Sequence, residues 1–548
     1  MTVSRFDAGS AAPPTRDRWR DSRLNRPNPL WGSNGVTFGP DGRLYIAQYI
    51  AGRISALDLA GGDLDDVVPM GGPVQSPDDI AFGADGSLYV ADLVPGLVWR
   101  RTPEGEYSVV SDQVQAPNGI TCVGDRLFVN EMKTNGRVLE LFPDGGEPVV
   151  LTEGLAFGNA MQLGPDGHLY YPHMWTGQIW RVSPDGGAPE LVVENVPTPV
   201  GVRFDRGGVL HALSLGIEGF VTRIDLHGSG SRTLLTSGIT GIDNAAFDAE
   251  NRMFVSSYGS GGITEMLPDG RTRDVVPRGF SGPYGVTVDL GGTVYTGDHY
   301  RIASPPDTAP DDAVVTHRLR PFAHGITASD GLLHFTSQYG QVETYDPRTE
   351  ESRVRATGLE RPTGIDVRAD GCLVVAEADG GRVVSIARDD TVTVLVEGLD
   401  RPVDVAHDAE GRCYVSDEAR GAVLRIDDGT AVTVAEGLGA PQGLAVLDDT
   451  LFTVDVAGRA LRSISLTTGA ANVAVENLAV GVPPAAAGRR DPALFVLGMP
   501  GAPRPFAGLA AAPDGTLLLS ANGEGTVVRL AVPTEPRRQH TGTPRSPR

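Results

Sequence analysis

Apolar and polar residues alternate in short runs along most of the chain, and one pattern of them recurs. In "SNGVTFGPDGRLYIAQY" an apolar strand leads through a Gly-containing turn into a second apolar strand that ends in polar residues. Two further apolar runs, such as "GLVWRRT" and "EPVVLTE", complete a unit. Asp-Gly between alternating apolar runs is a strong hairpin signal. Each unit is therefore predicted to form a four-stranded antiparallel sheet.

The pattern occurs twelve times, and one residue at the start of its first strand marks each unit. These markers are Asn34, Asp78, Asn118, Asn159, Val200, Asp243, Tyr284, His324, Thr363, Val403, Gln442 and Ala507. Ten of the eleven spacings lie between 39 and 44 residues, and the last, of 65, contains an insertion at 481–505. A period near 40 with four strands per unit is typical of β-propeller blades.

The predicted fold is all-β, a tandem β-propeller. Because propellers have about four to eight blades, twelve units predict two six-bladed rings, over 34–281 and 282–532. A single ring of twelve blades is the alternative. The last unit lacks a fourth strand, so the segment 1–33 is expected to close a blade and cover its edge. The tail 533–548 is predicted to be disordered, and the insertion is a candidate partner surface or channel lid.

The formal net charge of −23 argues against nucleic acid or an anionic membrane as the main partner. The N-terminus has no apolar core, and no apolar run approaches the length of a membrane span. A cytoplasmic protein with a small-molecule substrate is therefore expected. The three cysteines show no metal-binding spacing and are expected to be buried strand residues. The sequence does not indicate an oligomeric state.

In a propeller, the starts of the innermost strands and the ends of the second strands open on one face, where a small-molecule site forms. Amide and carboxylate oxygens crowd these positions in the first half, and such oxygens suit a hard cation such as Ca²⁺ or Mg²⁺. The candidate metal ligands are Asn118, Asn159, Glu131, Asp243 and Asp298. The candidate substrate contacts are Asn34, Asp78, Tyr258, Trp175 and Gln338.

Two neighbouring units place a phenol and an imidazole, Tyr284 and His324, in the marker position. Polar rings gain nothing by packing there, so a catalytic role is predicted for them, together with His173 and His299. There are structural alternatives for these positions. Acidic residues at strand ends commonly cap turns, Asn favours turns, and His173 with Trp175 is also compatible with an aromatic plug.

The first half resembles the SMP-30/gluconolactonase-like and NHL-type six-bladed propellers, through "APNGITCVGDRLFVNE" and "GNAMQLGPDGHLYY". This resemblance implies lactone hydrolysis with one divalent metal on the channel axis, held by Asn118, Asn159 and Asp243. The family's further ligand, a Glu from an N-terminal "EGP" stretch, has no counterpart here, and Glu131 is the candidate substitute.

The second half resembles streptogramin (virginiamycin B) lyase, through "GPYGVTV" and "AHGIT". The resemblance implies that Tyr284 lies in the substrate pocket and that His324 is the general base of a Mg²⁺-assisted elimination that opens an ester ring. That family forms seven-bladed rings, and the position expected to hold its metal-binding Glu is Gln338 here.

The sequence therefore predicts a small-molecule enzyme at a channel mouth, which performs metal-assisted hydrolysis or elimination at a lactone or ester. One alternative is a metal-independent cyclase, isomerase or condensing enzyme of a biosynthetic pathway. Another is a non-catalytic propeller that binds a protein partner, since the repeat alone specifies no reaction.

Overall fold

The structure, a computed structural model, describes Arg5 and residues 19–226, 228, 230–306, 314–481 and 503–531, with only the backbone of Pro321. The tail 533–548 and most of the insertion 481–505 lie outside these residues. The described part contains no helix, and so none that could cross a membrane. Its strands form ten four-stranded sheets and one seven-stranded sheet, all antiparallel.

Each of the first six sheets takes four consecutive strands. They are β2 (Val36–Phe38), β3 (Leu44–Gln48), β4 (Arg53–Leu57) and β5 (Leu64–Val68); β6 (Pro77–Phe82), β7 (Leu88–Asp92), β8 (Leu97–Arg101) and β9 (Tyr107–Ser111); β10 (Pro117–Val123), β11 (Arg126–Glu131), β12 (Thr134–Leu141) and β13 (Val149–Ala156); β14 (Gln162–Leu163), β15 (Leu169–His173), β16 (Gln178–Val182) and β17 (Glu190–Val193); β18 (Pro199–Phe204), β19 (Leu210–Ser214), β20 (Phe220–Ile224) and β21 (Arg232–Thr236); and β22 (Ile242–Phe247), β23 (Met253–Ser257), β24 (Ile263–Met266) and β25 (Thr272–Val276).

The second half repeats this plan, except that the long strand β29 joins two units into the seven-stranded sheet. The strands are β26 (Val286–Val288), β27 (Val294–Gly297), β28 (His299–Ser304), β29 (Val315–Ser329), β30 (Leu332–Ser337), β31 (Gln341–Asp346) and β32 (Glu351–Ala356); β33 (Pro362–Val367), β34 (Leu373–Glu377), β35 (Arg382–Ile386) and β36 (Val392–Glu397); β37 (Pro402–His407), β38 (Cys413–Asp417), β39 (Ala422–Asp427) and β40 (Thr430–Ala435); β41 (Pro441–Leu447), β42 (Thr450–Asp455), β43 (Ala460–Ser465) and β44 (Ala471–Val475); and β45 (Leu509–Ala511), β46 (Leu517–Ala521) and β47 (Thr526–Ala531), with β1 (Arg20–Arg23).

The predicted all-β propeller class is confirmed, and its core lies between successive sheets. Second strands such as β3 are buried along their whole length, whereas the outer strands expose part of theirs. Valine, isoleucine and leucine dominate these interfaces because branched side chains pack well on a pleated surface. Burying one such side chain contributes about 1.5–3 kcal/mol, so the repeated interfaces supply the main stabilisation.

The first sheet packs against the sixth, and the seventh unit packs against the twelfth. Val36 shares an apolar cluster with Phe254 and Ile263, as Val286 does with Leu518. From these contacts we infer two rings of six blades, divided before β26. Strand β1 pairs with β47 and supplies the fourth strand of the last sheet, so the chain's N-terminal region completes its C-terminal unit.

Arg5 joins the two halves of the chain. Its guanidinium donates hydrogen bonds to the carbonyls of Asn28 (2.8 Å), Ser281 (2.9 Å), Asn522 (3.0 Å) and Phe280. The side chain is 1% exposed and lies over the ring of Trp31, 4.6 Å from its centroid. Burial lowers the pKa of Arg5 to about 9, which still leaves it charged at neutral pH.

Candidate functional site

A line of aromatic and imidazole rings crosses the junction between the two halves. Tyr258 of the first half meets Tyr300 of the second, with ring centroids 4.7 Å apart. Tyr300 lies 4.3 Å from His299, which lies 6.3 Å from Tyr284, and Tyr284 lies 4.7 Å from His324. The structure thus brings together three of the four predicted catalytic residues beside the predicted substrate contact Tyr258.

Glycines after the markers allow this close approach of the innermost strands. A Cβ on Gly285 would lie 2.6 Å from the backbone nitrogen of Ile326, and one on Gly325 would lie 2.1 Å from the carbonyl oxygen of Thr363. No real side chain fits such distances. Gly285 also donates a backbone hydrogen bond to the carbonyl of His324 at 2.9 Å. The Tyr-Gly and His-Gly pairs therefore set neighbouring blades close enough for the Tyr284 and His324 rings to touch.

Gln338 fixes the orientation of the His324 imidazole. The amide oxygen of Gln338 accepts the backbone N–H of Arg504 at 3.0 Å and faces Arg361 at 3.4 Å. Its amide nitrogen must then point to His324, whose Nε2 lies 2.9 Å away. Because an amide N–H can only donate, Nε2 accepts and the ring proton sits on Nδ1. His324 is thus held as one neutral tautomer.

Both imidazoles of the cluster are neutral at neutral pH. Burial lowers the pKa of His299 to about 3 and holds that of His324 well below its usual range, with nearby positive groups as lesser causes for His324. Among the described residues, the His299 Nε2 and the His324 Nδ1 are buried without a hydrogen-bond partner. His299 also has a φ of +48°, a left-handed conformation that is costly for a non-glycine residue and typical of functional sites.

Two arginines border the cluster. Arg361 pairs with Asp379 at 2.7 Å, and Arg504 pairs with the same carboxylate at 3.0 Å. They were missed in the sequence because they lie far apart along the chain and only the folded structure joins them. Tyr300 was missed too, although it directly follows the candidate His299.

The mouth of the first half is acidic. Burial, reinforced by Asp79, raises the pKa of Asp78 to about 8. Burial and the neighbouring Asp78 raise the pKa of Asp243 well above its usual range. Burial raises the pKa of the Tyr49 and Tyr300 phenols, and the nearby carboxyl groups raise it further. This mouth therefore holds protons or favours a bound positive charge.

Asn118 carries an oxygen that suits such a charge. Its Nδ2 faces the Met132 sulfur at 3.1 Å, and Nδ2 of Asn159 faces the same sulfur at 3.6 Å. Oδ1 of Asn118 is buried with no partner in the described part of the chain. The Asn159 oxygen instead accepts the backbone N–H of Ala160 at 2.7 Å, so of the two amides only Asn118 leaves its oxygen unused.

Glu131 and Asp298 hold loops in place. Glu131 accepts the backbone N–H of Gln115 at 2.9 Å and pairs with Arg137. Asp298 accepts the backbone N–H of Gly282 at 2.7 Å and pairs with Arg301. Other second-strand ends bond the preceding loop in the same way, namely Gln48, Asp92, Glu377, Asp417 and Asp455. These contacts give no support to metal binding by Glu131 or Asp298.

The remaining candidates are spread over the first half. His173 stacks on Trp180, with centroids 5.4 Å apart, and burial lowers its pKa to about 4. Trp175 is 59% exposed and contacts Phe157. Asn34 is buried, and its side-chain oxygen accepts the backbone N–H of Tyr49. Among the described residues, the ring contacts of His173 and Trp175 are all with first-half residues and not with the Tyr284–His324 cluster.

The donor sets differ in their fitness for a divalent cation. Beside His324, the Gln338 oxygen already accepts hydrogen bonds from the Arg504 backbone N–H and the Arg361 guanidinium. It is therefore not free to coordinate a divalent cation, and the Tyr284–His299–His324 cluster does not suit a metal site. Asp78, Asp243 and the unused Asn118 oxygen are chemically suitable. Among the described residues no group of three His, Cys, Asp or Glu side chains could hold a metal, so a first-half site depends on the amide.

Comparison with known structures gives likeness of fold. A streptogramin B lyase is 19% identical, over 51% of this chain and 94% of that one, with a TM-score of 0.38. A virginiamycin B lyase from Staphylococcus aureus is 20% identical, over 51% and 95%, also at 0.38. The extracellular domain of the one-component system BT4673 from B. thetaiotaomicron is 11% identical, over 96% of this chain and 84% of that one, with a TM-score of 0.33. We transfer no residue role from these structures.

No curated protein matches the chain. Residues 22–303 match the model of the virginiamycin B lyase family. The resemblance to the lyase family is thus confirmed, but the match lies mainly in the first half, whereas the sequence motifs placed the resemblance in the second half. No match supports the SMP-30 resemblance. The matched residues cover the first half and extend to Tyr284 and His299, but they end before His324. With more than half of its length matched, the chain belongs to the virginiamycin B lyase family.

Proposed function

We propose that the protein is a lyase that opens a cyclic ester by elimination, with the Tyr284–His299–His324 cluster as its reaction site. The observation that carries this proposal is His324, a neutral buried imidazole held as one tautomer by Gln338 beside a phenol. A neutral imidazole can accept a proton, which is the first requirement of an elimination. The family membership supports the same class of reaction.

In the proposed reaction His324 accepts the proton from the carbon α to a carbonyl group. The electron pair of that C–H bond forms a carbon–carbon double bond, and the C–O bond of the ester at the β carbon breaks. The ester oxygen leaves as a carboxylate, and the imidazolium then returns its proton to solvent. For Nε2 to act as the base, the Gln338 amide has to turn aside when the substrate binds.

Neighbouring groups support the charges of this reaction. The Arg361 and Arg504 guanidinium groups neutralise Asp379 and can pair with a developing enolate or the leaving carboxylate. The Tyr284 phenol packs on the His324 ring and keeps it in place. No step requires a metal beside His324.

Mass spectrometry of the product tests the proposal. The purified protein is incubated with quinupristin, which is present in a crystal structure of a catalytically inactive virginiamycin B lyase from Staphylococcus aureus, and with a simple macrocyclic lactone. Elimination gives a ring-opened product with the mass of the substrate, whereas hydrolysis adds one water molecule. A product of unchanged mass supports the lyase. A product heavier by one water would replace it with a lactone hydrolase, and no turnover of either compound would count against a cyclic ester as the substrate.

The first half favours a bound divalent cation as a second element of function. We propose that Asp78, Asp243 and Asn118 hold Ca²⁺ or Mg²⁺, because Asp78 is close enough to Asp243 to raise its pKa and because the buried Asn118 oxygen, at the marker of the unit after Asp78, is unused. Bound, the cation would neutralise the two carboxyls and could orient an anionic substrate. Elemental analysis should find about one equivalent per chain, lost in Asn118→Ala and kept in Asn159→Ala. An unchanged metal content in Asn118→Ala would contradict this.

A further inference from the structure

A short strap of the chain crosses the mouth of the second half. It consists of Arg504, Pro505 and Phe506, which precede the last marker, Ala507, and belong to no strand. Gln338 accepts the backbone N–H of Arg504 at 3.0 Å and donates to the carbonyl of the same residue at 3.2 Å. One side-chain amide thus pairs with both backbone polar groups of a strap residue.

Gln442 holds the other end of the strap. It accepts the backbone N–H of Ala507 at 2.8 Å, and its Nε2 lies 3.5 Å from the carbonyl oxygen of Pro505. Gln338 belongs to the eighth unit of the chain and Gln442 to the eleventh. In a ring of six blades, units that are three apart lie on opposite sides of the channel. The two glutamines therefore anchor the strap on both sides of the mouth.

Phe506 closes the channel at the centre of this mouth. The residue is 2% exposed and clusters with Tyr284 and Val403, and its ring centroid lies 5.6 Å from that of His324. These contacts come from the seventh, eighth and tenth units, so the ring lies near the channel axis. Phe506 also lines a cavity of about 260 Å³ between the innermost strands. It is therefore a plug that separates this cavity from the mouth.

The strap keeps the proposed base out of reach of a substrate. His324 is 1% exposed. Gln338, whose amide lies 2.9 Å from Nε2 of His324, is itself held by the backbone of Arg504. Its amide cannot turn aside while the strap is in place. A substrate therefore reaches Nε2 only after the strap has moved.

The way in which the strap is held suits such a movement. Its backbone bonds to side-chain amides, whereas a neighbouring innermost strand such as β33 pairs along its length with the next strand. The side chain of Arg504 adds one ion pair, to the partly exposed Asp379. Segments outside the strand ladders open at a lower free-energy cost than the strands around them. The strap can thus leave the mouth while the ring stays folded.

We propose that the strap is a gate built into the fold, which closes the second-half mouth in this structure and is displaced when the substrate binds. Its role in turnover rests on the proposed function, because the gate matters only if His324 reacts. The apparent affinity for the substrate is reduced by the fraction of molecules in which the mouth is open. Weakening the strap is therefore expected to lower KM and to leave kcat unchanged.

The accessibility of His324 tests the gate without any turnover. Diethyl pyrocarbonate modifies neutral imidazoles, and mass spectrometry of the digested protein gives the rate at each histidine. Phe506→Ala removes the plug, and Gln442→Leu removes one anchor. Each is expected to raise the rate at His324 about tenfold, since losing two hydrogen bonds shifts an equilibrium by about that much. Gln113→Leu, the same change on the exposed surface of the first half, should leave it unchanged. The buried His211 of the first half is the internal reference.

Steady-state kinetics of ring opening gives the second measurement. In Gln442→Leu, KM is expected to fall about threefold or more, with kcat within about twofold of the wild type. An unchanged KM in this variant would overturn displacement of the strap by the substrate.

The outcomes separate the gate from the reaction. A rate at His324 that stays at the wild-type level in both variants would overturn the gate, as would a rise that His211 shares. If Phe506→Ala does not fold by circular dichroism, Gln442→Leu decides. Faster modification of His324 without turnover of any ester would support the gate and count against the lyase. Turnover with unchanged modification would support the lyase and overturn the gate.

Discussion

The mouth of the first half is lined by carboxyl groups, whereas that of the second half holds imidazoles and guanidinium groups. Burial shifts the pKa of the ionisable groups at both mouths, upward for the acids and downward for the bases. It raises the pKa of Asp78 and lowers that of His324, so that each group favours its neutral form. The same repeat therefore offers proton donors at one mouth and proton acceptors at the other, and only the second has the tautomer of its acceptor fixed by a neighbour.

Removing the base should have the largest effect and would show which mouth is active. His324→Ala is expected to lower kcat by about a hundredfold or more, since a positioned general base typically contributes that much. His173→Ala in the first half should stay within about twofold of the wild type, because its ring stacks on Trp180. Steady-state assays of the ring-opening reaction check this pair. A greater loss in His173→Ala would move the reaction to the first half.

Removing the Arg5 guanidinium, which links the two halves, should have the second-largest effect, here on stability. Arg5→Ala leaves four carbonyls without their charged donor, and we expect a loss of about 3 kcal/mol in the free energy of unfolding. Arg5→Lys keeps the charge but not the forked geometry and should recover only part of the loss. Urea denaturation of the three proteins measures it. Equal midpoints for Arg5→Ala and the wild type would contradict this linking role.

The raised pKa of Asp78 at the mouth of the first half should make the stability of the protein depend on pH. Native Asp78 keeps its proton up to about pH 8, whereas the unfolded carboxyl loses it near its ordinary pKa of 3.8. The native state thus binds more protons in this window, and stability falls as pH rises through it. Asp78→Asn should be more stable than the wild type at pH 8 and nearly equal to it at pH 4. Melting temperatures test this, with the exposed Asp144→Asn as the control.

The smallest expected change concerns the amide that holds His324. Gln338→Glu places a carboxylate beside the imidazole, which raises the pKa of His324. Because the base must be neutral, the acid limb of the kcat profile should move up by about one pH unit. Gln338→Leu, which supplies no charge, should not move it upward. A limb that stays in place in Gln338→Glu would argue against His324 as the titrating base.

The sequence predicted what depends on the repeat. The strand pattern, the marker positions and the pairing of Tyr284 with His324 all follow from the period, because equivalent positions in neighbouring blades meet. It could not predict contacts between residues of unrelated position, such as Arg361 with Arg504, or the four carbonyls gathered by Arg5. For a related reason the sequence could not distinguish a loop-capping role from a metal-binding role for Glu131 and Asp298. A carboxylate that caps a loop and one that binds a cation look alike until their hydrogen bonds are seen.

The pairing of β1 with β47 also sets an order of assembly. The first six units lie in one continuous stretch of chain, so they can pack as soon as that stretch has been synthesised. The last sheet instead needs Arg20 to meet Ala531, so it waits for nearly the whole chain. Loop closure over such a length costs only slightly more than over a short one, since the entropy grows with the logarithm of length. The delay is therefore one of time, and until β47 has been synthesised the edge of β1 is open to other strands.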